Sequence, residues 1–179
     1  MISNSNALDA VIIFQIAGKK CACEVDFIRE VAKASSIYKI PNNHPLVEGI
    51  LNLRGMIIPV IRFSSLLNQN ANEQRSSLIL VVNVNSFCVG LLVEHIFKVE
   101  KIINKKDITQ EPNSKDKSDD KNEIEDTSSP QEEIDISWIP RRFFKKVVML
   151  ESGSKCALLD SKSLSQALWA YVPDRERGK

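Results

Sequence analysis

The sequence predicts an all-β fold with short helices, built from small β-barrels and closed by one C-terminal helix. Three observations carry this. Short apolar, β-branched runs recur along the chain, separated by turns rich in Gly, Asn, Ser and Pro. Roughly eight to ten such runs are present, which favours small barrels over an α/β sheet. The clear amphipathic stripe falls near the end, where Leu164, Ala167, Leu168 and Tyr171 stand at helical spacing.

The elements follow in order. Val11 to Ile16 and Cys21 to Val25 flank "AGKK" and predict a β-hairpin. Asp26 is placed to cap a short helical turn through Phe27, Ile28 and Arg29. Val31 to Ile40 reads as extended, ended by "PNNHP" (Pro41 to Pro45). Ile50 to Leu53 and Met56 to Ile61 then flank only Arg54 and Gly55, a spacing that suits a tight hairpin with glycine at positive φ. Arginine is not a favoured turn former, so its side chain is expected to have a task. Pro59 cannot donate to a ladder, which places it at an edge or a bulge. Ser76 to Ile102 reads as two strands joined near Asn83 to Ser86, covered on both faces. Phe143 to Asp160 reads as two more around a Gly-Ser turn, before the helix that Asp160 or Ser161 caps and Pro173 closes.

Length and composition bound the function. The chain has 179 residues, enough for one domain with a core. No apolar run approaches the ~20 residues of a membrane span, and Met1 to Ala10 has no signal-peptide pattern. Four cysteines occur without a CxxC pair, which reads as reduced and buried in a cytosolic setting. The net charge of +1 hides an asymmetry. From Glu111 to Asp135 ten acids face three lysines, a charge of −7, leaving +1 − (−7) = +8 elsewhere. The composition from Asn104 to about Asp135 is that of a disordered insertion, and order is expected to resume near Ile136.

"EGILNLRGMIIPVI" resembles the Gly-x-x-Asn-Leu-Arg-Gly-x-x-x-Pro-Val signature of the CheW-like chemotaxis coupling proteins, through Gly49, Asn52, Leu53, Arg54, Gly55, Pro59 and Val60. "IIFQIAGKKCACEVDFIREVAK", "VGLLVEHI" and "CALLDSKSLS" are similar to that family's opening hairpin, a later strand, and its last strand and helix start. The resemblance implies two intertwined five-stranded SH3-like barrels and a C-terminal helix. A single domain is expected over 11–172, with 11–40 plus 136–172 mainly in the first barrel and 41–103 mainly in the second. Residues 1–10 and 173–179 are expected to be flexible ends and 104–135 the acidic insertion. It further implies no catalysis and no cofactor. The expected role is an adaptor, cytoplasmic beside receptor arrays, that couples chemoreceptors to a CheA-type histidine kinase. The expected partners are the kinase regulatory domain and the receptor's cytoplasmic helical tip. Coupling in a type IV pilus pathway is the alternative.

Site residues follow by the same resemblance. Ile28, Glu30 and Arg54 are candidate partner contacts, and Gly49, Gly55, Pro59 and Gly90 are structural turn positions. The family often has an acid where Arg62 stands here. Arg62 cannot accept a backbone N–H, so Ser64 or Ser65 would cap the next helix, and the added cation is a candidate selector of partners. Each residue has a plainer reading: Arg54 pairing with a local carboxylate, Ile28 in the core. Cys21-x-Cys23 lacks further metal ligands at suitable spacing, and His44 and His95 lack an evident catalytic set. "RRFFKK" (Arg141 to Lys146) combines cations and aromatics, which keeps nucleic-acid binding as a distant alternative; solvated flanking charges are the plainer reading, and neither nucleic acid nor membrane insertion is expected.

Overall fold

A computed structural model describes residues 10–41, 44–69, 78–103 and 134–172. Residues 1–9, 173–179 with Pro173, and nearly all of the acidic insertion therefore lie outside the described residues. Among the described residues there are eleven strands and two α-helices: β1 (Ala10–Ile16), β2 (Lys19–Glu24), β3 (Ile28–Lys33), β4 (Ile37–Tyr38), β5 (Val47–Leu53), β6 (Met56–Arg62), α1 (Phe63–Leu66), β7 (Leu78–Val84), β8 (Phe87–Val93), β9 (His95–Lys101), β10 (Phe144–Met149), β11 (Lys155–Leu159) and α2 (Ser161–Trp169).

The strands form a five-stranded sheet, β10-β11-β2-β1-β9, and a six-stranded sheet, β3-β7-β8-β6-β5-β4. The fold is mostly β, of the SH3-like barrel kind. The edges of the first sheet meet at one end, through the Ile102–Leu150 bridge and the Ile103 N–H to Met149 carbonyl bond of 2.9 Å. The period-two alternation of strands explains the three cores. In β1, Val11 and Ile13 face a small core with Ala22, Leu150 and Leu158, while Ile12, Phe14 and Ile16 face a larger one shared by both sheets. In β7, Ile79 and Val81 face the second sheet's own core and Leu80, Val82 and Val84 the shared one. Both faces are covered, hence the near-continuous apolar runs. Leu164 and Leu168 of α2, both fully buried, join the shared core.

Several expectations need correction. β3 and β4, counted with the first barrel, belong to the second sheet, and β9, counted with the second, is an edge of the first. The stretch expected to hold two strands holds three, because β9 follows β8 after only Glu94. The helical turn runs Val25–Phe27 with Glu24 at its N-cap, so Asp26 is inside it, and Ile28 and Arg29 are already β3. The extended piece after it is broken by a 3-10 turn at Ala34–Ser36. α1 begins after Arg62 with no side-chain cap, and Ser64 and Ser65 lie within it. Asp160 holds the N-cap position of α2, but its carboxylate accepts from the Ser163 hydroxyl rather than from a backbone N–H.

Candidate functional site

The β5–β6 turn is the centre of the candidate site. Arg54 and Gly55 both have positive φ, +52° and +90°, as a primed two-residue hairpin requires. The Asn52 side-chain oxygen accepts the Gly55 N–H at 2.8 Å and fixes the turn from within. Only Gly55 takes this conformation freely. Arg54 carries a side chain into a region that disfavours one.

That side chain is held rather than loose. Arg54 Nη2 donates to Glu30 Oε2 at 3.1 Å, across 24 residues of sequence. Arg54 stays 81% exposed while Glu30 is only 24% exposed, so the half-buried acid on β3 positions a guanidinium at the hairpin tip. The plainer reading of Arg54 thus holds, since a local carboxylate pairs with it, and the pairing still leaves most of the fork outward. Ile28, on the same strand, is half-buried against the shared core. A cleft of about 500 Å³ opens beside the turn, lined by Gly55 to Pro59, by Arg29, by Ser86 to Cys88 and by Val172. Met56 and Ile57 expose apolar surface here, Ile57 to 57%. Arg29, which sequence reasoning passed over, donates to Cys88 Sγ at 3.1 Å inside this cleft.

Arg62 lies elsewhere, at the end of β6. Its Nε donates to the Glu48 carboxylate, which Lys39 also approaches at 3.7 Å. Of the four structural turn positions, only Gly55 is in a turn. Gly49 is in β5, where a Cβ would stand 2.4 Å from the Tyr38 carbonyl oxygen, so β4 could not approach any larger residue. Gly90 is in β8, where a Cβ would meet Ile79 Cγ2 at 2.8 Å. Pro59 is in β6, an inner strand, paired with Ile50, and the bulge is in the partner strand between Val47 and Gly49, opposite Val60 and Ile61. Its missing N–H is tolerated because the parallel ladder from β6 to β8 begins one residue later, at Val60.

The remaining motifs resolve locally. Cys21 and Cys23 are both buried in the shared core, and burial pushes both thiols up. In "RRFFKK", Phe143 is fully buried under Arg142, and Lys145 pairs with Glu24. The basic cluster thus lacks the exposed aromatic pair that base stacking needs. The described residues begin again at Ile134, two before the expected Ile136. Asp135, counted with the acidic insertion, is an anchor. It accepts from Ser137 N at 3.0 Å, from the Ser137 hydroxyl and from Lys19 Nζ at 3.1 Å, which together hold its pKa down to about 2. Glu94 likewise ties β8 to the β1–β2 turn by accepting from Gly18 N at 2.9 Å and Gln15 Nε2 at 3.0 Å.

Comparison with known proteins agrees with this architecture. The family description for a CheW-like domain matches residues 10–122. A "Chemotaxis protein CheW" of Thermotoga maritima is 36% identical over 100 residues, 55% of this chain and 66% of that protein. One of Rhizobium meliloti is 30% identical over 87 residues, and the chain spans 56% of its length. The crystal structure of scaffolding protein TtCheW from Thermoanaerobacter tengcongensis superposes with a TM-score of 0.60 at 21% identity, covering 89% of each chain, and shares the fold. The family match stops short of β10, β11 and α2, which complete the first sheet and the shared core. With its signature hairpin, two interleaved sheets and this match, the chain belongs to the CheW-like domain family.

Proposed function

We propose that this protein is a non-enzymatic adaptor that couples chemoreceptors to a CheA-type histidine kinase. The observation that carries the reading is Arg54: an exposed guanidinium kept at φ +52° and aimed by Glu30. A turn selected for stability alone would place glycine or asparagine there. A planar fork at a rigid hairpin tip suits a carboxylate on a partner. The neighbouring cleft, with Met56 and Ile57 exposed at its edge, supplies apolar area beside that selector, the mixture interfaces use. Glu30 on β3 joins this face through Arg54, Ile28 at the start of the same strand is a further candidate contact, and Arg62 is a separate candidate selector, tethered to Glu48.

In this reading one barrel pairs with the kinase's regulatory domain and a groove between the two barrels receives the receptor's helical tip. Each contact is modest, and many copies act together in an array. No described helix is long and apolar enough to cross a membrane, and the adaptor works in the cytoplasm, held to the membrane by its receptors. The test is calorimetric titration of the full chain with the regulatory domain of a CheA-type kinase, repeated with Ile28→Asp and Arg54→Glu. Saturable one-to-one binding, weakened by a variant that keeps its unfolding transition, is expected. Absence of binding to any such kinase would overturn the reading.

A further inference from the structure

A second cleft, of about 440 Å³, opens at the first sheet's own core, away from the Arg54 turn. Ile13, Leu150 and Cys156 of that core line it, with Phe97 and Trp138 beside them. Its charged groups are four lysines, Lys19, Lys20, Lys98 and Lys155, and two carboxylates, Glu100 and Asp135. Both carboxylates are already engaged. Glu100 takes Lys98 Nζ at 2.8 Å and the Ser152 N–H at 3.0 Å. Asp135 takes Lys19. Lys20 lies 4.6 Å from the Phe97 ring centre, and Lys155 is exposed at the start of β11. Among the described residues neither Lys20 nor Lys155 has an ion-pair partner.

The chain itself shows what this cleft accepts. Ile134 lines it, half-buried, and the next carboxylate, Asp135, sits on Lys19. An aliphatic side chain beside a carboxylate is thus already seated. Residues 104–133 connect to this place from both ends. Ile103 is bonded to Met149, next to the lining Leu150, and Glu132 and Glu133 immediately precede Ile134. That stretch holds ten acids and five lysines, a net charge of 5 − 10 = −5.

We propose that the lysine-rimmed cleft is an intramolecular docking site for the carboxylates of residues 104–133, with Lys20 and Lys155 as their counter-cations. Attachment at both ends keeps the acids at high local concentration, which multiplies weak single contacts. Exposed ion pairs are individually small and screened by salt, so the docking weakens as ionic strength rises. The site is separate from the Arg54 face, and its test needs no kinase or receptor.

The test is zero-length carbodiimide coupling of the full chain, which joins lysine amines to carboxylates, with the linked peptides mapped by mass spectrometry. Lys33 on β3 and Lys162 on α2, both exposed, are the internal controls. In the monomer, links from Lys20 and Lys155 to acids between Asp107 and Glu133 are expected to exceed control links at least about threefold. They are expected to fall at least about threefold at ~1 M salt, where the screening length drops to about 3 Å. Lys20→Gln with Lys155→Gln should lower total coupling of those acids while the unfolding transition stays in place. Links spread evenly over all exposed lysines, links confined to a dimer, or coupling that ignores salt would each overturn the proposal.

Discussion

Arg54→Gly separates what the β5–β6 turn needs from what the surface needs. Glycine adopts the +52° conformation without the roughly 1–2 kcal/mol that a side chain costs in the left-handed region. Against that relief stand two losses. The freer unfolded chain costs about 0.4–1 kcal/mol. The Glu30 ion pair contributes about 0.2–1 kcal/mol, at the surface value because Arg54 is 81% exposed. The terms nearly cancel, so stability should change by no more than about 1 kcal/mol, a Tm shift of about 2–4 °C for a chain of this size. Partner affinity should behave differently. Loss of a charge-assisted hydrogen bond is worth about 1.5–3 kcal/mol, or at least about tenfold in Kd. The assay pairs thermal unfolding with titration against the kinase regulatory domain. A Tm drop above about 8 °C would make Arg54 structural, and unchanged affinity with unchanged Tm would remove it from the interface.

Three further outcomes follow from the same geometry. Gly49→Ala puts a Cβ 2.4 Å from a backbone oxygen of Tyr38 that cannot swing aside, so urea unfolding should show a loss of about 1–3 kcal/mol with β4 displaced. Asp135 has its pKa depressed to about 2 by Ser137 and Lys19. A depressed carboxylate stabilises the fold fully above its unfolded value of about 3.9 and loses that contribution as pH falls through about 2. Wild type and Asp135→Asn should therefore differ in stability at pH 6 and converge near pH 2; a gap that is constant with pH would refute the assignment. Burial raises the Cys21 and Cys23 thiols, and Cys156 to about 11. The thiolate is the reactive form, so a thiol reagent at pH 8 should leave these three unmodified until denaturant unfolds the chain.

Features that depend on neighbours along the chain are legible in the sequence alone. Alternating apolar runs specify strands, and Arg54-Gly55 specifies a primed hairpin because turn geometry is decided by the φ of two residues. The 3.6-residue stripe with Leu164 and Leu168 specifies α2. The signature around Arg54 pointed to the right family. Which strands share a sheet is legible only in the folded chain, since a ladder is chosen by non-local pairing. That is why β3 and β4 sit in the second sheet and β9 in the first. β9 itself was hard to read because nearly all of its residues are exposed or half-exposed and it lacks a clean alternation. Gly49 reads as a turn residue in the sequence, and its real constraint is a strand arriving from eleven residues upstream. The pairing of Arg54 with Glu30 and of Asp135 with Lys19 spans 24 and 116 residues. Folding places these charges a few ångströms apart, and no local pattern in the chain encodes that distance.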